Sequence, residues 1–93
     1  MSVSVQVPSM LQEHAGGAAE VVVEGSPGTV ADTLAGLFRA HPGLRDRLLD
    51  ERGVLREHVN LFVGTESIRY TGGLETAVPD GGVVTILPAL SGG

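Results

Sequence analysis

The sequence predicts an α+β fold, a mixed sheet of four to five strands with one main helix across one face. Three observations point there. Valines alternate with polar residues at the start of the chain, at Val3, Val5 and Val7, which is the period-two pattern of a half-buried strand. Apolar residues then recur at helical spacing, at Val30, Leu34, Leu37 and Phe38, as one amphipathic stripe. Period-two alternation returns at Val59, Leu61 and Val63. The 93 residues suit a single domain, which at this size buries about 60 to 70% of the surface of its unfolded chain.

Taken in order, the first strand carries Ser2, Ser4 and Gln6 on its polar face and stops before Pro8. After a loop holding Gly16-Gly17, Val21 and Val23 alternate with Glu20 and Glu24, and Val22 falls on the charged face. Gly25-Ser26-Pro27-Gly28 ends that strand, so the two strands form a hairpin with a long loop. Thr29 is a fitting N-cap with Asp32 three residues on, a weaker form of the capping box. The helix should stop near Ala40, because Pro42 disfavours helical geometry at His41. A shorter helical piece follows with Leu44, Leu48 and Leu49 inward, Arg45, Asp46, Arg47 and Asp50 outward, and Gly53 as its terminator.

The third strand alternates Val59, Leu61 and Val63 with His58, Asn60 and Phe62, which puts Phe62 on the polar face. An aromatic residue facing outward from a strand is the kind of residue that anchors an interface. Gly64-Thr65-Glu66 turns into a short strand around Ile68 and Tyr70, and residues 74–78 fit a single helical turn. Pro79-Asp80-Gly81-Gly82 is a turn signal. The last strand runs from Val83 to Leu87, with Val84 and Ile86 inward, Val83, Thr85 and Leu87 outward, and Pro88 ending it.

Composition narrows the function. The net charge is −5, and the arginines alternate with acids, so the clustered basic surface that nucleic acid requires is absent. Basic protein surfaces are the expected partners. There is no cysteine, which removes disulfides, thiolate metal sites and a cysteine nucleophile. All six basic residues are arginine, so the chain cannot form an isopeptide bond to a lysine of its own. No apolar run approaches the roughly 20 residues of a membrane span. The segment from Met1 to Val5 lacks the features of a signal peptide, and the expected location is the cytoplasm. His14, His41 and His58 fall in different segments without metal-ligand spacing, and Asp50 with Glu51 reads as a solvated pair. No metal site and no active site are expected in the globular part.

Chemistry concentrates instead at Gly92 and Gly93, which follow the last strand. Residues 1–87 are expected to fold, and residues 88–93 to form a flexible tail presenting the carboxylate of Gly93. Glycines lack Cβ, so such a tail passes a narrow channel and adopts backbone angles that other residues resist. Ser91 has no adjacent base and is not expected to act as a nucleophile.

The element order, the turn Asp80-Gly81-Gly82, the strand Val83-Val84-Thr85-Ile86-Leu87-Pro88 and the ending Ala89-Leu90-Ser91-Gly92-Gly93 together resemble the ubiquitin-like sulfur carriers of the ThiS/MoaD/CysO family. The run Arg69-Tyr70-Thr71-Gly72-Gly73-Leu74 and the long stretch from His41 to Glu57 look most like the CysO branch. The resemblance implies a β-grasp (ubiquitin-like) fold. It implies that Gly93 is adenylated by an E1-like enzyme of the MoeB/ThiF type and becomes a thiocarboxylate that donates sulfur to a biosynthetic enzyme, for cysteine, thiamine or a sulfur-containing secondary metabolite. That reaction uses ATP and Mg²⁺ on the partner, and the chain itself binds no cofactor. On this reading the chain is a co-substrate rather than an enzyme, a monomer in isolation. It docks through Phe62, Leu87, Pro88, Ala89, Leu90, Ser91 and Gly92, since in the resembling fold the third and last strands are neighbours. The other readings are a protein modifier forming amide bonds to lysines of other proteins, the small subunit of a molybdopterin synthase, and a non-covalent β-grasp interaction module.

Overall fold

The computed structural model describes residues 2–25 and 28–88. Expectations for Met1, Ser26, Pro27 and 89–93 lie outside the described residues. Five strands form one mixed sheet: β1 (Ser2–Gln6), β2 (Glu20–Glu24), β3 (Val59–Val63), β4 (Glu66–Ser67) and β5 (Val83–Pro88). Their order across the sheet is β2-β1-β5-β3-β4. The first and last strands lie side by side and parallel, with Val5 opposite Val84, while every other pairing is antiparallel.

The main helix, α1, spans Val30–Ala40. Its capping box is complete: the Thr29 hydroxyl accepts from Asp32 N–H at 3.2 Å, and the Asp32 carboxylate accepts from Thr29 N–H at 3.3 Å. Such a cap is worth about 1 kcal/mol. Val30, Leu34 and Leu37 are buried in one cluster with Val3, Val5, Leu61, Val84 and Ile86 of the sheet. Gly36 lets the helix come close to β2, since a Cβ placed there would stand 2.6 Å from Val23 Cγ1. The helix ends at Ala40, before the residue that Pro42 constrains.

Three elements differ from the sequence expectation. The loop between β1 and β2 holds a 3-10 helix at Ser9–Ala15 that buries Ala15. The strand expected around Ile68 and Tyr70 is instead β4 at Glu66–Ser67, followed by a 3-10 turn at Ile68–Tyr70 that begins where the Ser67 hydroxyl accepts from Arg69 N–H at 3.3 Å. Residues two apart on a strand share a face, but Ile68 is buried and Tyr70 is 86% exposed. The third difference is at α2, which covers only Arg45–Leu48. Gly53 does not cap it and lies further on, at φ +79° in a turn where its N–H donates to Asp50 O at 3.0 Å.

Asp50 organises that turn. One carboxylate oxygen accepts from Arg52 N–H at 2.8 Å and Val54 N–H at 3.1 Å, and the other accepts from Arg52 Nη2 at 2.9 Å. The Arg52 guanidinium first, and the Val54 N–H next, hold the Asp50 carboxyl below the usual aspartate value. Because the folded value is depressed, the stabilisation is complete above the ordinary aspartate pKa of about 3.9. It is lost as pH falls through the depressed folded value. In an NMR titration Asp50 should therefore show a midpoint below about 3.9, and Arg52→Ala should move it upward. An unchanged midpoint in Arg52→Ala would remove the guanidinium as the cause.

The 79–82 turn is tied to the start of the chain. Gly81 N–H donates to Ser2 O at 2.7 Å, Ser2 N–H to the Asp80 carboxylate at 2.8 Å, and Ser4 N–H to Gly82 O at 3.0 Å. Gly81 takes φ +79°, a conformation that costs glycine least. These bonds fix where β5 begins, and so where it ends.

Candidate functional site

Strand alternation divides β3 and β5 between two faces. Val59, Leu61, Val84 and Ile86 are buried beneath α1. Asn60, Phe62, Val83, Thr85 and Leu87 lie on the opposite face, where Phe62 stands across from Thr85 and Asn60 across from Leu87. Phe62 and Leu87 are thus diagonal neighbours on one surface, close enough for an aromatic and a long aliphatic side chain to share a contact. Leu87 is 47% exposed and Phe62 is half-buried.

Leu87 is also the residue before Pro88, which pairs with Val59 at the end of β5. The apolar outer face therefore runs to the point where 89–93 begin. Fully extended, those residues reach at most about 18 Å. The structure brings Phe62, Leu87 and the end of β5 together. Ala89, Leu90, Ser91, Gly92 and Gly93 lie outside the described residues.

Sequence reasoning missed a polar brace beside this surface. Arg69 Nε donates to Asn60 Oδ1 at 3.2 Å and its Nη2 to Glu57 O at 3.1 Å, which anchors the turn after β4 to β3. The pairing joins segments that no local pattern relates. Val22 is a further exposed apolar residue, on the same face but across from Ser4 at the far edge. Among the described residues, no group of three or more His, Asp or Glu side chains is placed to hold a metal ion.

Comparison with known proteins adds a family and close structural neighbours. The ThiS family matches residues 5–93. The chain is 40% identical over 95 residues to the sulfur carrier protein CysO of Mycobacterium tuberculosis, covering 100% of each sequence. It superposes with a TM-score of 0.88 and 38% identity on a chain of the BexX/CysO complex from Amycolatopsis orientalis, covering 98% of this chain and 99% of that one. The SAMP1 structure from Haloferax volcanii matches at 31% identity and a TM-score of 0.84 over 100% of both chains.

Proposed function

This chain belongs to the ThiS family, and from that premise we propose that the Gly93 carboxylate is the group that carries sulfur. The protein is a ubiquitin-like sulfur carrier, a small protein substrate of other enzymes rather than a catalyst. The observation that carries the assignment of Gly93 is a family match that runs through Gly92-Gly93, the two residues without side chains that follow the last strand.

A carboxylate is ionised at neutral pH and is a poor electrophile, so sulfur cannot displace its oxygen unaided. In the proposed sequence an E1-like partner binds ATP with Mg²⁺. The Gly93 carboxylate oxygen attacks the α-phosphorus, and pyrophosphate leaves. Hydrosulfide attacks the acyl carbon and AMP departs with the former carboxylate oxygen, leaving a thiocarboxylate; a persulfide attacking in the same way leaves an acyl disulfide, which a thiol cleaves to the thiocarboxylate and a mixed disulfide. A sulfur-accepting biosynthetic enzyme takes the sulfur next. The likeness to CysO proteins supports cysteine formation as the destination. Phe62, Leu87 and Pro88 supply the docking surface, and residues 89–92 thread the partner's channel. No described helix is long and apolar enough to cross a membrane.

The test is the intact mass of the protein after incubation with a cognate activating enzyme, ATP, Mg²⁺ and a sulfide source. The expected result is the gain of one sulfur for one oxygen, mapped to the peptide ending in Gly93. No exchange with any cognate enzyme would overturn the proposal. The match to SAMP1 favours a second reading, covalent attachment of Gly93 to lysines of other proteins. A ladder of covalent adducts recovered from cells would identify that activity.

A further inference from the structure

Charge is distributed unevenly in this chain. Between residues 45 and 58, Arg45, Arg47, Arg52 and Arg56 are matched by four acids, so the whole net charge of −5 lies elsewhere. Within that neutral segment, Asp46, Arg47, Arg56 and His58 line a cleft of about 270 Å³. Arg56 Nε donates to Asp46 O at 2.8 Å, which fixes the guanidinium in place. The Asp46 carboxylate leans toward Arg45 Nη1 at 3.6 Å. Among the described residues neither Arg47 nor Arg56 forms an ion pair.

The position of this cleft matters more than its size. His58 directly precedes Val59, the residue paired with Pro88, so the cleft borders the root of the C-terminal segment. Residues 89–93 reach at most about 18 Å. A partner that docks on Phe62, Leu87 and Pro88 and receives Gly93 within that reach covers the ground next to Pro88, and with it the cleft that His58 shares with Arg47 and Arg56. A guanidinium stripped of water without an acceptor is strongly destabilising. We infer that the activating partner presents carboxylates around the mouth of its tail channel and that Arg47 and Arg56 bind them. The inference rests on the proposed activation of Gly93 and names the surface that receives it. Carboxylates fit better than a phosphate, because the Asp46 carboxylate in the same cleft repels a dianion, whereas a single carboxylate matches one guanidinium in a bidentate pair. An acidic rim also repels the remaining −5 surface, so the carrier approaches with its C-terminus leading.

The test compares Arg47→Glu with Arg39→Glu. Both change net charge equally, but Arg39 lies on α1 near Gly36 and Val23, toward the opposite edge of the sheet. The readout is kcat/KM of the activating enzyme for the carrier at several salt concentrations, with thermal melting as the check on folding. Arg47→Glu should lower kcat/KM about tenfold at low salt, through KM, with the deficit shrinking as salt rises. Arg39→Glu should change it less than about twofold. Equal effects from the two variants, or a deficit insensitive to salt, would overturn the cationic collar. Failure of the unaltered carrier to be adenylated would overturn the proposed function itself, so the two outcomes are distinct.

Discussion

A chain ending at Gly92 is expected to carry almost no sulfur. The truncated protein still offers a glycine carboxylate, so the reacting group is chemically unchanged and only its reach differs. Losing one residue withdraws the carboxylate by about 3.4 Å. Since a misplacement of about 1 Å costs on the order of a hundredfold in rate, single-turnover thiocarboxylation should fall by more than about a hundredfold. Folding is expected to be untouched, because among the described residues the core ends at Ile86 and β5 closes at Pro88. Thermal melting separates the two effects. Full-rate sulfur transfer by the truncated chain would show that tail length does not position the carboxylate, and the role of Gly93 would be lost.

That expectation comes from the end of the sequence, and other parts of the molecule were legible to differing degrees. The alternations at Val3, Val5 and Val7 and at Val59, Leu61 and Val63 became β1 and β3 because one face of each is buried and the other is not, so period two survives in composition. The helix was legible in Thr29, Asp32 and the Val30, Leu34, Leu37 stripe because cap and stripe agree. Ile68 and Tyr70 misled for the converse reason. Their spacing matches a strand, but the Ser67 hydroxyl captures the Arg69 N–H and turns the chain after two residues of β4. Local hydrogen bonding by a serine side chain competes with the sheet ladder, and hydrophobic period does not report it. The brace from Arg69 to Asn60 and Glu57, and the cleft at Arg47, Arg56 and His58, were illegible for a simpler reason. Each joins residues from separate segments: the pairing of β3 with β4 brings Arg69 back to Asn60, and the Leu49–Leu55 bridge, with Arg56 N–H donating to Leu48 O, brings Arg56 beside Arg47.

The second large effect is expected at the outer face, and its pattern discriminates a docking patch from general apolar exposure. Leu87 is 47% exposed on β5 immediately before Pro88, and Phe62 stands half-buried across the strand boundary. Truncating or charging an anchor near the centre of an interface costs about 2 kcal/mol or more, roughly a thirtyfold change in affinity. Leu87→Asp should therefore raise KM for the activating enzyme about thirtyfold while leaving kcat at saturating carrier unchanged. Its folding stability should stay within about 0.5 kcal/mol of the parent, since an exposed position lacks the packing that makes substitutions severe. Phe62→Ala should weaken docking similarly but also lower the melting temperature, because part of that ring is buried. Val22→Asp is the decisive comparison: Val22 is 49% exposed on the same face, but on β2, separated from β5 by β1. If the partner sits over β3 and β5 beside the C-terminal segment, Val22→Asp leaves KM within about twofold of the parent, as for an ordinary surface substitution. Equal losses at Val22 and Leu87 would mean that the whole sheet face is covered, and no loss at Leu87 would move docking away from this face altogether.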